Sequence, residues 1–198
     1  MPRLLIATTN PGKLAEFREL LGGLPVELVL PERDLQVAET GSSYAENAAL
    51  KARAYAAVSG LPALADDSGL EVDALGGAPG LFSARYSPLP GASDADRRAH
   101  LLANLRGLPR PWTAHFHCTA AVALPDGELQ LAEGQVFGEI LPEERGSNGF
   151  GYDPLFLLPE LGRTMAELTR EEKNTLSHRA RALHAALPAI RKLLGLAE

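Results

Sequence analysis

Early in the chain, short apolar runs alternate with capped helical segments, and that alternation confines the fold to α/β architectures. Arg3 to Thr8 has the length and apolar character of a buried strand. Asn10 follows as a helix N-cap with Pro11 at the first helical position. Leu14, Phe17, Leu20 and Leu21 then recur at helical spacing until Gly22-Gly23 stops the helix. Val26 to Leu30 is a second strand candidate. Ser43 and Glu46 fit a capping box, and the Ala-rich stretch to Val58 continues as a helix. Pro62 to Ala65 reads as a short strand that ends at Asp66-Asp67-Ser68-Gly69.

The second half changes rhythm. Gly76 to Tyr86 carries three glycines and a proline and reads as a loop. Asp94 to Leu105 reads as a helix. Trp112 to Leu124 and Glu128 to Ile140 read as two longer strands, joined through the turn residues Pro125-Asp126-Gly127. A Gly-rich loop spans Gly146 to Asp153 and is closed by Pro154. Leu176, Ala180, Leu183, Leu187, Ile190 and Leu194 then form one apolar helical stripe, which Pro188 should kink or split. Early alternation followed by a hairpin predicts an α/β protein with a mixed sheet. With no repeat, low-complexity tract or linker, the 198 residues read as a single domain.

Composition narrows the function classes. Hydrophobic residues make up 45% and charged residues 22%, the balance of an ordinary globular protein. A net charge of −6 argues against broad nucleic-acid binding, which needs a basic face. No apolar run approaches the ~18–20 residues of a membrane span. The N-terminal apolar run is too short for a signal peptide. Cys118 is the single cysteine, so an intrachain disulfide is impossible and a reducing, cytoplasmic setting is expected.

Five segments carry candidate chemistry. Thr8-Thr9-Asn10-Pro11-Gly12-Lys13 puts hydroxyls, an amide and a lysine at a helix N-terminus, which suits either phosphate or a plain cap with a solvated lysine. Asp66 and Asp67 are adjacent like charges, so one must point away, be neutralised, or share a cation such as Mg²⁺. An exposed turn is the alternative. Glu39, ahead of the second helix, offers a third carboxylate. Gly149-Phe150-Gly151-Tyr152-Asp153-Pro154 alternates glycines with aromatics, as base stacking or a structurally pinned loop would require. Ser177, His178 and Arg179 open the last helix, where a cation opposes the helix dipole unless an anion compensates. His115 and His117 share a strand face without an evident third metal ligand, and His100 and His184 look like surface or boundary residues.

Taken in order, these segments resemble the inosine triphosphate pyrophosphatase family of XTP/dITP diphosphohydrolases. The matching pieces are Thr8 to Lys13, Glu39-Thr40-Gly41, Glu46-Asn47-Ala48 with Leu50-Lys51-Ala52, and Ala65 to Leu70. They continue with Gly76 to Gly80, Ser83 to Tyr86, Gly149 to Pro154, Ala166-Glu167-Leu168, and Lys173 with Ser177-His178-Arg179. The resemblance implies an elongated, two-lobed α/β protein with a long curved mixed sheet and an active site in the cleft between lobes. It also implies a cytoplasmic homodimer that hydrolyses ITP, dITP and XTP to the monophosphate and pyrophosphate. By the same resemblance Thr8, Thr9, Asn10, Pro11, Gly12 and Lys13 hold the triphosphate. Glu39 and Asp67 bind Mg²⁺, with Asp67 the proton acceptor. Ser68, Phe150, Gly151, Tyr152, Asp153, Lys173, His178 and Arg179 line the nucleotide pocket. A magnesium-dependent nucleotide phosphatase and a non-catalytic nucleotide-binding module are the alternatives. No nucleic acid or membrane partner is expected.

Overall fold

The computed structural model describes residues 1–196. Its strands are β1 (Arg3–Ile6), β2 (Glu27–Val29), β3 (Ala63–Val72), β4 (Trp112–Ala123), β5 (Leu129–Ile140), β6 (Phe156–Leu158) and β7 (Arg163–Thr164). Its helices are α1 (Pro11–Leu20), α2 (Tyr44–Ser59), α3 (Asp94–Leu105), α4 (Arg170–Leu176) and α5 (His178–Leu193). The strands form one mixed sheet in the order β2-β1-β3-β4-β5-β6-β7. β1 pairs parallel with β2 and β3, and β6 pairs antiparallel with β5 and β7. The mixed α/β expectation holds. Among the described residues no helix is long and apolar enough to cross a membrane.

The chain divides into two compact units. The first comprises Met1–Asp67, Cys118–Gly134 and the segment from His178 onward; the second comprises Ser68–His117 and Gln135–Ser177. Strand alternation explains the first unit's layers, because successive side chains point to opposite sheet faces. Leu4, Ile6, Leu64, Ala120 and Val122 meet Phe17 and Leu21 of α1 and Leu183, Ala186 and Ile190 of α5. Leu5, Ala7, Ala63, Ala65, Ala121 and Ala123 meet Ala48, Ala52, Tyr55 and Ala56 of α2. The apolar runs are thus buried on both faces, as strands sandwiched between helices must be. In the second unit, Leu70, Val72, Ala114, Phe116, Val136 and Ile140 pack with Leu101 and Leu105 of α3 and with Phe156, Met165 and Leu168.

One contact in the first unit leaves no room for a side chain. A Cβ at Gly134 would lie 2.3 Å from both Ala182 N and His178 O, backbone atoms of α5. Gly134→Ala is expected to force β5 and α5 apart at a cost of about 1–3 kcal/mol. A thermal melt should show a loss of roughly 3–10 °C.

Several local readings need correction. β3 does not stop before the tandem aspartates; it carries them in mid-strand and runs on to Val72. The segment 76–86 is not all loop, since a 3-10 helix covers Gly80–Arg85. The capping box at Ser43 is half formed: Ser43 Oγ accepts from Glu46 N, but the Glu46 carboxylate accepts from Ser42 N and Oγ instead. The C-terminal stripe is not one helix. The backbone turns extended at Ser177 (ψ 157°), and Leu176 packs with the second unit's core while Leu183, Ala186 and Ile190 pack with the first. Pro188 does not split α5, which continues through it.

Candidate active site

The first unit's polar cluster follows from the same alternation that builds its core. β1 ends at Ile6, opposite Leu64, so β3 runs past the end of its neighbour at Asp66 and Asp67. Asp66 continues the Leu64 face toward α1 and α5. Asp67 continues the Ala63 and Ala65 face toward α2. The two like charges are therefore separated by the strand itself.

Asp66 is 2% exposed and fully paired. Its Oδ2 accepts from Lys13 Nζ at 2.9 Å and from Arg179 Nη2 and Nε at 3.0 and 3.2 Å. Arg179 also donates through Nη1 to Glu16 Oε2. Burial alone would raise the Asp66 carboxyl, but the Lys13, Arg179 and Lys51 charges outweigh it and hold the carboxyl far below the usual carboxylate range. Cys118 Sγ lies 3.8 Å from the same oxygen. Burial and the Asp66 charge push the thiol upward, so Cys118 is a protonated core residue and no nucleophile.

Asp67 has the opposite character. Burial raises its carboxyl above the ordinary value, and Glu39 adds to this, despite Lys51, the Asn47 amide and Lys13. Asn47 Nδ2 donates to Asp67 Oδ2 at 3.1 Å, and Asn47 Oδ1 accepts from Gly41 N at 2.8 Å. Lys51 Nζ lies 3.0 Å from Glu39 Oε1 and 3.6 Å from Asp67 Oδ1. Asn47 and Lys51 stand one turn apart on α2, which is why both reach one carboxylate. Asp67 and Glu39 thus converge on a single cation. Among the described residues no group of three or more His, Cys, Asp or Glu side chains is arranged to hold a metal. Two carboxylates fit Mg²⁺, which keeps waters and substrate oxygens in its remaining positions.

Thr8 to Lys13 form an exposed to half-buried turn into α1. Asn10 is the N-cap, as the sequence predicts: its Oδ1 accepts from Gly12 N at 2.9 Å and Lys13 N at 3.1 Å. Asn10 N in turn donates to Thr8 Oγ1 at 3.2 Å. Two of the helix's terminal N–H groups are therefore already satisfied, which leaves Lys13 as this segment's charged group. His178 and Arg179 open α5, both buried, and the anions that compensate Arg179 are Glu16 and Asp66.

The second unit holds the other candidates. Ser68 is half-buried on β3. Tyr152 is buried, with its hydroxyl donating to Ser83 O at 2.8 Å, while the Phe150 ring is half-exposed. Asp153 Oδ2 accepts from Phe150 N at 2.9 Å and from Lys173 Nζ at 2.6 Å. The Lys173 ammonium lies 4.8 Å from the centroid of the Phe150 ring, a cation–π contact. A Cβ at Gly149 (φ 75°) would lie 2.1 Å from Asp153 Oδ2, so the glycine is required for this closure. The reading of a structurally pinned loop holds for Tyr152, whose buried ring and hydroxyl anchor it.

The two strand histidines, His115 and His117, have other partners. His117 Nδ1 pairs with Gln135 at 2.9 Å, and His115 stacks on Phe137 with Nε2 3.5 Å from Glu71. Sequence reasoning missed Asn47, Lys51 and Glu16 as site residues. The available signal for the first two was a polar pair at i, i+4 within an Ala-rich helix.

Fold and cluster together define an α/β protein that sets one neutralised carboxylate beside one poised carboxylate, with lysines facing both. The chain belongs to the Ham1 family, whose model matches residues 4–189. It is 48% identical over 194 residues to the dITP/XTP pyrophosphatase of Symbiobacterium thermophilum, covering 97% of this chain and 96% of that protein. It is 51% identical over 187 residues to the dITP/XTP pyrophosphatase of Geobacter sulfurreducens, covering 92% and 94%. Among solved structures it matches a HAM1 protein from Coxiella burnetii with a TM-score of 0.86 at 41% identity, covering 97% and 100%. A nucleoside-triphosphatase/dITP/XTP pyrophosphatase from Mycobacterium abscessus matches with a TM-score of 0.73 at 46% identity, covering 96% and 100%.

Proposed function

We propose that this chain hydrolyses noncanonical purine nucleoside triphosphates (dITP, XTP and ITP) to the monophosphate and pyrophosphate, with Mg²⁺ as cofactor. The observation that carries this reading is the opposed state of the tandem aspartates, Asp66 locked as an anion and Asp67 raised and converging with Glu39 on one ammonium. Paired titratable groups pushed apart by their surroundings are how a site assigns distinct roles to like residues. The names and near-complete coverage of the relatives support the substrate class.

In this reading Asp67 takes the proton of the attacking water, and the Asn47 amide fixes the carboxylate's rotamer through Oδ2. A raised basicity makes Asp67 a better acceptor than an ordinary surface aspartate. Glu39 and Asp67 would hold Mg²⁺, which neutralises phosphate oxygens and makes phosphorus more electrophilic. Lys13, braced by Asp66, stabilises the charge developing on departing pyrophosphate. Thr8, Thr9, Asn10, Pro11 and Gly12 line the triphosphate beside it. Phe150 stacks on the purine, with Ser68, Gly151, Tyr152 and Asp153 shaping its surroundings. Lys173, His178 and Arg179 supply donors for a 6-oxo group, which leaves adenine's amine facing unpaired donors. Lys173 and Arg179 also hold Asp153, Asp66 and Glu16. We assign both units to one enzyme domain, acting as a cytoplasmic homodimer; the lone, buried Cys118 suits a reducing compartment.

The test is a panel of ITP, dITP, XTP, GTP and ATP, with Mg²⁺ and with EDTA, measuring pyrophosphate directly. ITP, dITP and XTP should turn over with kcat/KM at least about 100-fold above ATP, and EDTA should abolish activity. Equal turnover of ATP and ITP would defeat the specificity. Orthophosphate as the product would make the chain a phosphatase, and intact nucleotide would make it a binding module.

A further inference from the structure

One residue of the second unit is held through both of its backbone polar atoms, and so through two successive peptide groups. Gly151 N donates to Asp94 Oδ2 at 2.7 Å, and Gly151 O accepts from Arg98 Nη1 at 2.8 Å. Asp94 and Arg98 stand four residues apart on α3, so one face of that helix presents both. Arg98 is itself fixed by a forked contact to Glu144, Nε to Oε1 at 2.8 Å and Nη2 to Oε2 at 3.0 Å. Such bidentate pairing sets the plane of the guanidinium as well as its place. The other Asp94 oxygen accepts from Arg97 Nη2.

The loop's own sequence explains why it needs an external clamp. Gly149 and Gly151 take left-handed φ values of 75° and 61°, and glycine loses more conformational freedom on ordering than any other residue. Gly151 has no side chain with which to pack, and nothing lies within 4 Å of where its Cβ would be. Phe150 sits between the two glycines, so a shift of the Gly151 backbone carries the Phe150 Cα, and with it the ring, along. Lys173 and Asp153 hold Phe150, and Asp94 and Arg98 hold the next residue from α3.

We infer that Asp94 and Arg98 are positioning residues for base recognition, fixing the Gly151 backbone on both sides and through it the place of the neighbouring Phe150 ring. The inference rests on the pyrophosphatase reading above and deepens it. A stacking surface ordered in advance binds its base without the cost of ordering at the moment of binding. Loosening it weakens binding of the base and blunts discrimination among purines, while the groups around Asp67 stay as they are.

The experiment compares the full-length chain with Asp94→Asn, Arg98→Met and Arg98→Lys. It measures kcat and KM for ITP and GTP, amide hydrogen exchange at Gly151, and a thermal melt to confirm folding. KM for ITP should rise roughly ten-fold in Asp94→Asn and Arg98→Met, with kcat within about two-fold of wild type. The preference for ITP over GTP should shrink, and Gly151 exchange should quicken by about ten-fold or more. Arg98→Lys keeps the charge but not the fork, and should fall between wild type and Arg98→Met. Folded variants with unchanged KM and preference overturn the inference, whether or not Gly151 exchange quickens. A wild-type chain that turns over no purine triphosphate is a separate result: it overturns the parent reading and this inference with it.

Discussion

Asp67→Asn is expected to lower kcat by about 10²–10⁴-fold while ITP affinity stays within a few-fold of wild type. The substitution keeps the shape and the contact with Asn47 but removes the proposed proton acceptor and one of the two carboxylates that meet Lys51. Steady-state kinetics with an independent binding titration separates the two effects. The neighbouring Asp66 is committed to Lys13 and Arg179 on the opposite sheet face, so it has no route to replace Asp67. Retention of more than about a tenth of wild-type turnover would mean that another group accepts the proton.

The largest expected stability change lies at Arg179. Its guanidinium is 1% exposed and is shared between Glu16 and Asp66, two acids that are themselves buried. Arg179→Met leaves Glu16 buried beside a methionine and deprives Asp66 of one of its two close cations. Breaking a buried ion pair from one side costs about 3–5 kcal/mol. For a chain of this size that is a fall in Tm on the order of 10 °C. The double variant Glu16→Gln/Arg179→Met should lose less than the sum of its parts, because both substitutions remove the same ion pair. Calorimetry on the single and double variants checks both statements. A shift below about 2 °C for Arg179→Met would show that water reaches this cluster and screens it.

The parts of the fold legible in the sequence were those decided locally. Asn10 with Pro11, the α3 boundaries and the turn at Pro125-Asp126-Gly127 are each set by a few adjacent residues. The extent of β3 was not legible, because Asp66-Asp67-Ser68-Gly69 has turn composition and only pairing within the sheet keeps it extended. The break at Ser177 was hidden for a related reason: Leu176 and Leu183 keep helical spacing although they serve different cores. At the site, the tandem acids, Lys13 and Glu39 stood out by motif. Their electrostatics did not, because Glu16 and Arg179 are 163 positions apart and no spacing rule links them. Lys51 and Asn47 fell within matching motifs but carried no assigned role, because polar residues at i, i+4 of a helix suit a solvated face equally well.

In the proposed reaction, water activated at Asp67 attacks the α-phosphorus and expels pyrophosphate whole. Hydrolysis of ITP in ¹⁸O-labelled water, followed by ³¹P NMR of the products, tests it directly. The label should appear in the inosine monophosphate and be absent from pyrophosphate. Label in pyrophosphate, or release of orthophosphate in its place, would contradict the account.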